Sequence, residues 1–120
     1  MNEYESKLGV FAPDGRLIQV EYAQNASNQG GTIVLQALES KIVICYEIRN
    51  TNPLIIPMSK IHTIDQDRNI YMIFSGFKAD SLIIADKAID IVCNYKYSTS
   101  EDISLPRLAR DIAKYNKLLR

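Results

Sequence analysis

Between Arg16 and Asn28 the apolar residues Leu17, Val20, Ala23 and Ala26 recur at helical spacing, which predicts an amphipathic helix near the start of the chain. Gly30-Gly31 follows, and a glycine pair is what the end of a helix accepts. The period then shortens. Thr32–Leu38 and Lys41–Tyr46 are β-branched runs separated by Glu39-Ser40, the pattern of a hairpin. Ile42–Cys45 is apolar at every position, so this strand is expected to be covered on both faces. Pro57 keeps Ile55-Ile56 out of any central strand. Lys60–Ile64 and Ile70–Ser75 predict a second hairpin around the polar turn Asp65–Asn69.

After Gly76 the period returns to helical. Leu82, Ala85, Ile89 and Val92 form one stripe, and Ile84, Ala88, Ile91 and Tyr95 form another beside it. Asp86, Asp90 and Asn94 are left as a narrow wet face, so this helix is expected to be sandwiched. Ser104 is the expected N-cap of a last helix, with Pro106 in its first turn. Leu105, Leu108, Ile112, Tyr115 and Leu119 are expected to face inward from it. Helix, four or five strands, then two helices implies an α+β fold, with helices layered on antiparallel sheet. The two hairpins would leave strand edges for a partner to cover.

At 120 residues the chain has the length of one domain, and 47% hydrophobic with 23% charged residues is a globular composition. Lys+Arg and Asp+Glu both total 14, so the formal net charge is zero, which disfavours nucleic acid and anionic membrane as partners. No apolar run approaches the ~18 residues of a membrane helix, and the opening residues show no signal-peptide pattern. A soluble, non-secreted protein is therefore expected. Cys45 and Cys93 read as two buried thiols in a reducing compartment. One histidine, His62, inside a strand-like run, supports neither a zinc site nor a nucleophile–histidine pair, so no metal and no cofactor are expected.

Ala12-Pro13-Asp14-Gly15-Arg16 is a tight-turn sequence leading into the first helix. Val10 to Ala23, reading V-F-A-P-D-G-R-L-I-Q-V-E-Y-A, closely resembles the signature of proteasome alpha subunits, F-S-P-[DE]-G-R-L-x-Q-V-E-Y-A, with Ala12 its one unusual residue. Gly31-Thr32, Ser59-Lys60-Ile61 and Ser75-Gly76-Phe77-Lys78-Ala79-Asp80 follow in the family's order and spacing. Tyr4-Glu5-Ser6-Lys7 is nearest to the Y-D-S-R variant of the subunit type counted third in the eukaryotic ring. The resemblance implies a four-layer helix–sheet–sheet–helix sandwich, the N-terminal nucleophile hydrolase-like fold, of which this chain supplies roughly the first half. Its implied parts are a gate arm with proline turn over residues 1–15, a ring-interface helix over 16–29, and the first half of the sandwich over 30–120.

The implied role is mechanical: a non-catalytic outer-ring subunit, cytoplasmic and nuclear, serving ATP- and ubiquitin-dependent protein degradation. Other alpha subunits in a seven-membered ring, beta subunits beneath, and a regulatory particle or other activators docking by their C-termini are the implied partners. Tyr4, Glu5, Pro13 and Tyr22 match the cluster that holds the open gate, with Glu5 in place of the family's aspartate. Lys60 matches the lysine that pairs with an activator's terminal carboxylate, with Gly30 and Phe77 beside the inserted peptide. The plainer alternative for Lys60 is a solvated lysine at a strand end. Arg16, Leu17, Val20, Tyr22 and Ala23 would form the ring interface. No catalytic residue is expected. The rival is a self-processed threonine hydrolase freed at Thr32, with Glu47 and Lys60 near the supporting acid and lysine positions. A third reading is a half-subunit that serves as an assembly or interaction module.

Overall fold

Proline at 13 presets its own φ, and the chain folds back at once. In the computed structural model, Gly15 N donates to Ala12 O at 2.8 Å and Ala12 N donates to Arg16 O at 2.8 Å. Gly15 closes this turn at φ 82°, where a side chain would be strained, and Asp14 Oδ1 accepts from Arg16 N at 3.2 Å. The structure describes residues 7, 9–49, 52–56 and 59–118. It divides into two compact units, Met1–Pro57 with Ser75–Phe77, and Met58–Phe74 with Lys78–Arg120.

The first unit holds helix α1 (Ile18–Asn28) and strands β1 (Ile33–Ala37) and β2 (Ile42–Tyr46). β1 and β2 pair antiparallel from Ile33↔Tyr46 to Ala37↔Ile42, and Leu38 N donates to Lys41 O across the Glu39-Ser40 tip at 2.8 Å. The expected cover over β2 is not found. Ile42 is 61% exposed and Val43 44%, and Val34 and Leu35 on β1 are exposed too. A run of apolar residues specifies a strand that could be buried on both faces, but on β2 only Ile44 and Tyr46 are even half-buried. Residues 52–56 hold a turn, with Ile55 N donating to Asn52 O at 3.1 Å, so no fifth strand forms among the described residues.

The second unit contains the hydrophobic core. Strands β3 (Ile61–Asp65) and β4 (Ile70–Ile73) form a two-stranded antiparallel ladder, irregular between Thr63 and Asp65. The extra residue, Ile64, is buried, while the next carboxylate, Asp65 Oδ1, accepts from Arg68 N at 3.3 Å inside the turn. Helices α2 (Lys78–Thr99) and α3 (Leu105–Leu118) pack together, and α2 also meets β3. Ile64, Ile70, Ala85, Ala88, Ile103 and Leu108 are buried as one cluster, flanked by Met72, Ile89, Ile91, Val92, Tyr95 and Ile112. Both expected stripes of α2 thus reach the core through all but their first members. Leu82 and the neighbouring Ile83 remain 45% and 52% exposed.

The α2–α3 connection is more than polar linker. Ser100 takes φ 57° and donates its N–H to Lys96 O at 2.9 Å, ending α2 in the left-handed conformation. Ile103, 1% exposed, plugs into the core, and its carbonyl accepts from Arg68 Nη1 at 2.5 Å. Lys96 Nζ lies 3.0 Å from Asp102 Oδ1 and holds that carboxyl below its ordinary range. Ser104 caps α3 as expected, with its Oγ 3.4 Å from Arg107 N. Leu105, expected to face inward, lies on the Leu108–Ile112 stripe but in the first turn of α3, and there it is 59% exposed. Leu119, also expected to face inward, lies outside the described residues. Both cysteines are free and exposed, against the expectation of burial. Cys45 sits on the uncovered β2 and Cys93 on the outer side of α2. His62, a strand residue as expected, stacks on Phe74 with centroids 5.0 Å apart and meets Ser81 Oγ at 3.3 Å.

Candidate functional site: a recess at the end of helix α1

Helix α1 starts from the turn and is fastened to it by charge. Arg16 Nε donates to Glu21 Oε1 at 2.9 Å, and Nη2 binds Oε2, a forked pair from the turn to the first helical turn. The carboxyl of Glu21 is held below its ordinary pKa chiefly by this hydrogen bond, and Arg16 is raised for the same reason. Acidic charge near a helix N-terminus is favourable in its own right. Arg16, expected at a ring interface, is therefore also the clasp of the turn. No residue of α1 is buried: Leu17, just before it, is half-buried, while Val20, Tyr22 and Ala23 are exposed. The Tyr22 hydroxyl has no hydrogen-bond partner among the described residues, and Pro13 is exposed at the turn. Tyr4 and Glu5 lie outside the described residues.

At its other end α1 stops just before Gly30-Gly31, as expected, but without a left-handed glycine. Gln29 caps it in right-handed conformation, its N–H donating to Ala26 O at 3.3 Å, and Gly30 N donates to Ser27 O at 3.2 Å. The reason for glycine at 30 is close approach. A Cβ there would collide with Ser75 Oγ and with the backbone N of Gly76, and would stand 3.0 Å from Gly76 Cα. Ser75 Oγ donates to Gly31 O at 2.5 Å, pinning the Ser75–Phe77 segment against the strand entry. Gly76 at φ 113° turns that segment past Ser27.

These contacts leave a recess of about 170 Å³ lined by Ala26, Gln29, Gly30, Gly76 and Phe77. Its size suits a few waters or one or two residues of an inserted peptide. Two of the three residues matched to activator docking, Gly30 and Phe77, line it together. Phe77 stands 60% exposed at its edge as an apolar wall. Lys60 belongs to the other unit, half-buried just before β3, with its carbonyl accepting from Phe74 N at 3.1 Å. Ala26 and Gln29 were not singled out from sequence. Their one signal was position, one turn before the glycine pair.

Beside the recess, the strand entry bears on the hydrolase alternative. Thr32 N donates to Glu47 Oε2 at 3.2 Å, and Glu47 N donates back to Thr32 O at 3.0 Å. Glu47 Oε1 is bound 3.0 Å from Arg49 Nε, and Arg49 Nη1 donates to Gln29 O at 3.1 Å. The arrangement uses Thr32 as an ordinary peptide unit. A threonine hydrolase requires that same nitrogen as a free amine serving as base. Glu47 is neutralised by Arg49, a partner that sequence reading missed, and the pair ties the end of α1 to the start of β1. Arg49 is raised in turn by Glu47. Among the described residues no group of three His, Cys, Asp or Glu could hold a metal, and no helix is long and apolar enough to cross a membrane.

Comparison with known proteins agrees in kind and in place. The family model for the N-terminal signature of A-type proteasome subunits matches residues 4–26, and that for the proteasome subunit matches residues 27–118. The chain is 34% identical over 115 residues to the alpha type-7 proteasome subunit of Caenorhabditis elegans, covering 94% of this chain and 45% of that protein. It is 30% identical to the alpha type-5 proteasome subunit of Drosophila melanogaster, covering 93% and 46%. Against the alpha proteasome subunit of Thermococcus sibiricus the identity is 32%, covering 96% and 44%. The chain thus spans less than half the length of these relatives. With both family models matched in succession along its α+β fold, the chain belongs to the proteasome subunit family, as an alpha-type member.

Proposed function

We propose that the chain serves as a non-catalytic alpha subunit of a proteasome core particle, contributing to the outer ring, the pore gate and the docking of activators. The observation that carries this reading is the recess formed by Gly30, Gly76 and Phe77 at the end of a helix bearing the alpha-type signature. A recess lined in part by the glycine backbone at Gly30 and Gly76 suits an inserted main chain, and Phe77 supplies apolar contact. In this reading the exposed Val20, Tyr22 and Ala23 meet a neighbouring subunit, since a mixture of apolar and polar groups is the usual composition of a subunit contact. A head-to-tail contact of this kind closes into a ring at the correct rotation. Seven alpha subunits form the proposed ring, with beta subunits beneath it carrying out ATP- and ubiquitin-dependent degradation in cytoplasm and nucleus.

Lys60 is proposed to pair with the terminal carboxylate of an activator. A compact ammonium on a flexible stem suits that task, and partial burial makes the pair stronger than an exposed one. In assembled rings, Lys60→Ala is expected to weaken binding of an activator C-terminal peptide by about tenfold, roughly 1.4 kcal/mol, without disrupting the ring. Unchanged affinity in peptide-stimulated gate opening would refute the assignment.

The proposed role requires that the chain is not processed at Thr32. Intact mass measurement of the purified subunit is expected to show Gly31 still joined to Thr32. A mature species beginning at Thr32 would replace this proposal with the hydrolase.

A further inference from the structure

The solvent side of α3 carries charges that neither the recess nor α1 uses. Leu108 and Ile112 turn one side of this helix toward the core. At ~100° per residue, Arg110, Lys114 and Lys117 fall within about 60° of one another on the opposite side. All three are exposed, and none has an ion-pair or hydrogen-bond partner among the described residues. Arg107, one turn earlier, is by contrast held by Asp111 at 3.2 Å. The formal net charge of the whole chain is zero, so this row is a local concentration rather than a sign of general basicity. It runs about 10 Å along the helix axis. Ala109 and Ala113, both exposed, border it and let another backbone come close.

We propose that this face of α3 docks an acidic helix of a partner polypeptide, with carboxylates spaced i, i+4 and i+7 opposite Arg110, Lys114 and Lys117. Single exposed ion pairs contribute little, so recognition depends on three pairs formed in register. A nucleic acid fits less well. The row has no aromatic side chain on which bases could stack, and the Asp111 carboxylate borders it. The proposal is independent of the activator-docking role.

The test is fluorescence anisotropy of the full chain with a labelled, alanine-rich helical peptide carrying Glu at i, i+4 and i+7. Saturable binding is expected, weakening at least tenfold between 50 and 500 mM NaCl. The triple variant Arg110→Glu, Lys114→Glu, Lys117→Glu is expected to lose at least tenfold in affinity and to gain binding to the matching lysine peptide. Lys114→Gln alone is expected to lose about two- to threefold. Circular dichroism should show both variants with parental helix content, since the changes lie opposite the core. Unchanged affinity after charge reversal, or tighter binding of oligothymidylate or phosphatidylserine vesicles than of the acidic peptide, would overturn the proposal.

Discussion

Leu108→Ala should leave the second unit largely unfolded near its present melting temperature. Leu108 is 2% exposed and packs in one cluster with Ile103, Ala88 and Ile64. Truncating a leucine in such a place removes its transfer energy and leaves a cavity, together about 2–5 kcal/mol. A folded unit holds only about 0.1 kcal/mol per residue in total, so the loss is a large share of what this small core supplies. Differential scanning calorimetry of the full chain is the measurement. Leu105→Ala is the control one turn earlier, because Leu105 is 59% exposed and its truncation should change stability by no more than about 0.5 kcal/mol. If the two variants melted alike, the core would not lie where the structure places it.

Gly30→Ala should destroy the recess. The added methyl meets the backbone of Gly76, which cannot rotate away, and Ser75 Oγ, which can move only by breaking its bond to Gly31 O. Overpacking of this kind costs about 1–3 kcal/mol, and relief by backbone movement would displace Ser75–Phe77 from the end of α1. Activator-peptide binding is expected to fall at least tenfold. Gly15→Ala separates this effect from simple backbone strain. Gly15 has φ 82°, but a methyl added to it would meet nothing within 4 Å, so its cost of about 1 kcal/mol falls on the turn alone. Parallel peptide titrations of the two variants decide the matter, and equal losses would remove Gly30 from the site.

Local signals carried much of the fold. The turn at Pro13, the Ser104 cap, both hairpins and the long second helix each follow from a few adjacent residues. Burial was harder to read, because it depends on what else is present. Ile42 and Val43 are apolar enough for a core and yet stand open, while Ile103, inside a polar stretch, is almost wholly enclosed. Nothing in Ser98–Asp102 announces that Arg68, thirty-five residues before Ile103, will reach its carbonyl. The site was legible in part. Gly30 and Phe77 came from resemblance to a family, but the reason for Gly30 is steric and long-range, and sequence suggested a helix stop. The Glu47–Arg49 pair, two residues apart on one strand end, was in plain view as opposite charges, yet its partner Gln29 O was not.

The second unit joins neighbours in sequence: a hairpin with a short turn, a helix beginning a few residues after it, and a helix pair linked by a brief connection. Few of its contacts require distant chain segments to find each other first. Loop-closure entropy therefore delays its formation little, which places it among the fast-folding topologies. During synthesis such a segment can become structured soon after it emerges and serve as a nucleus on which later packing proceeds.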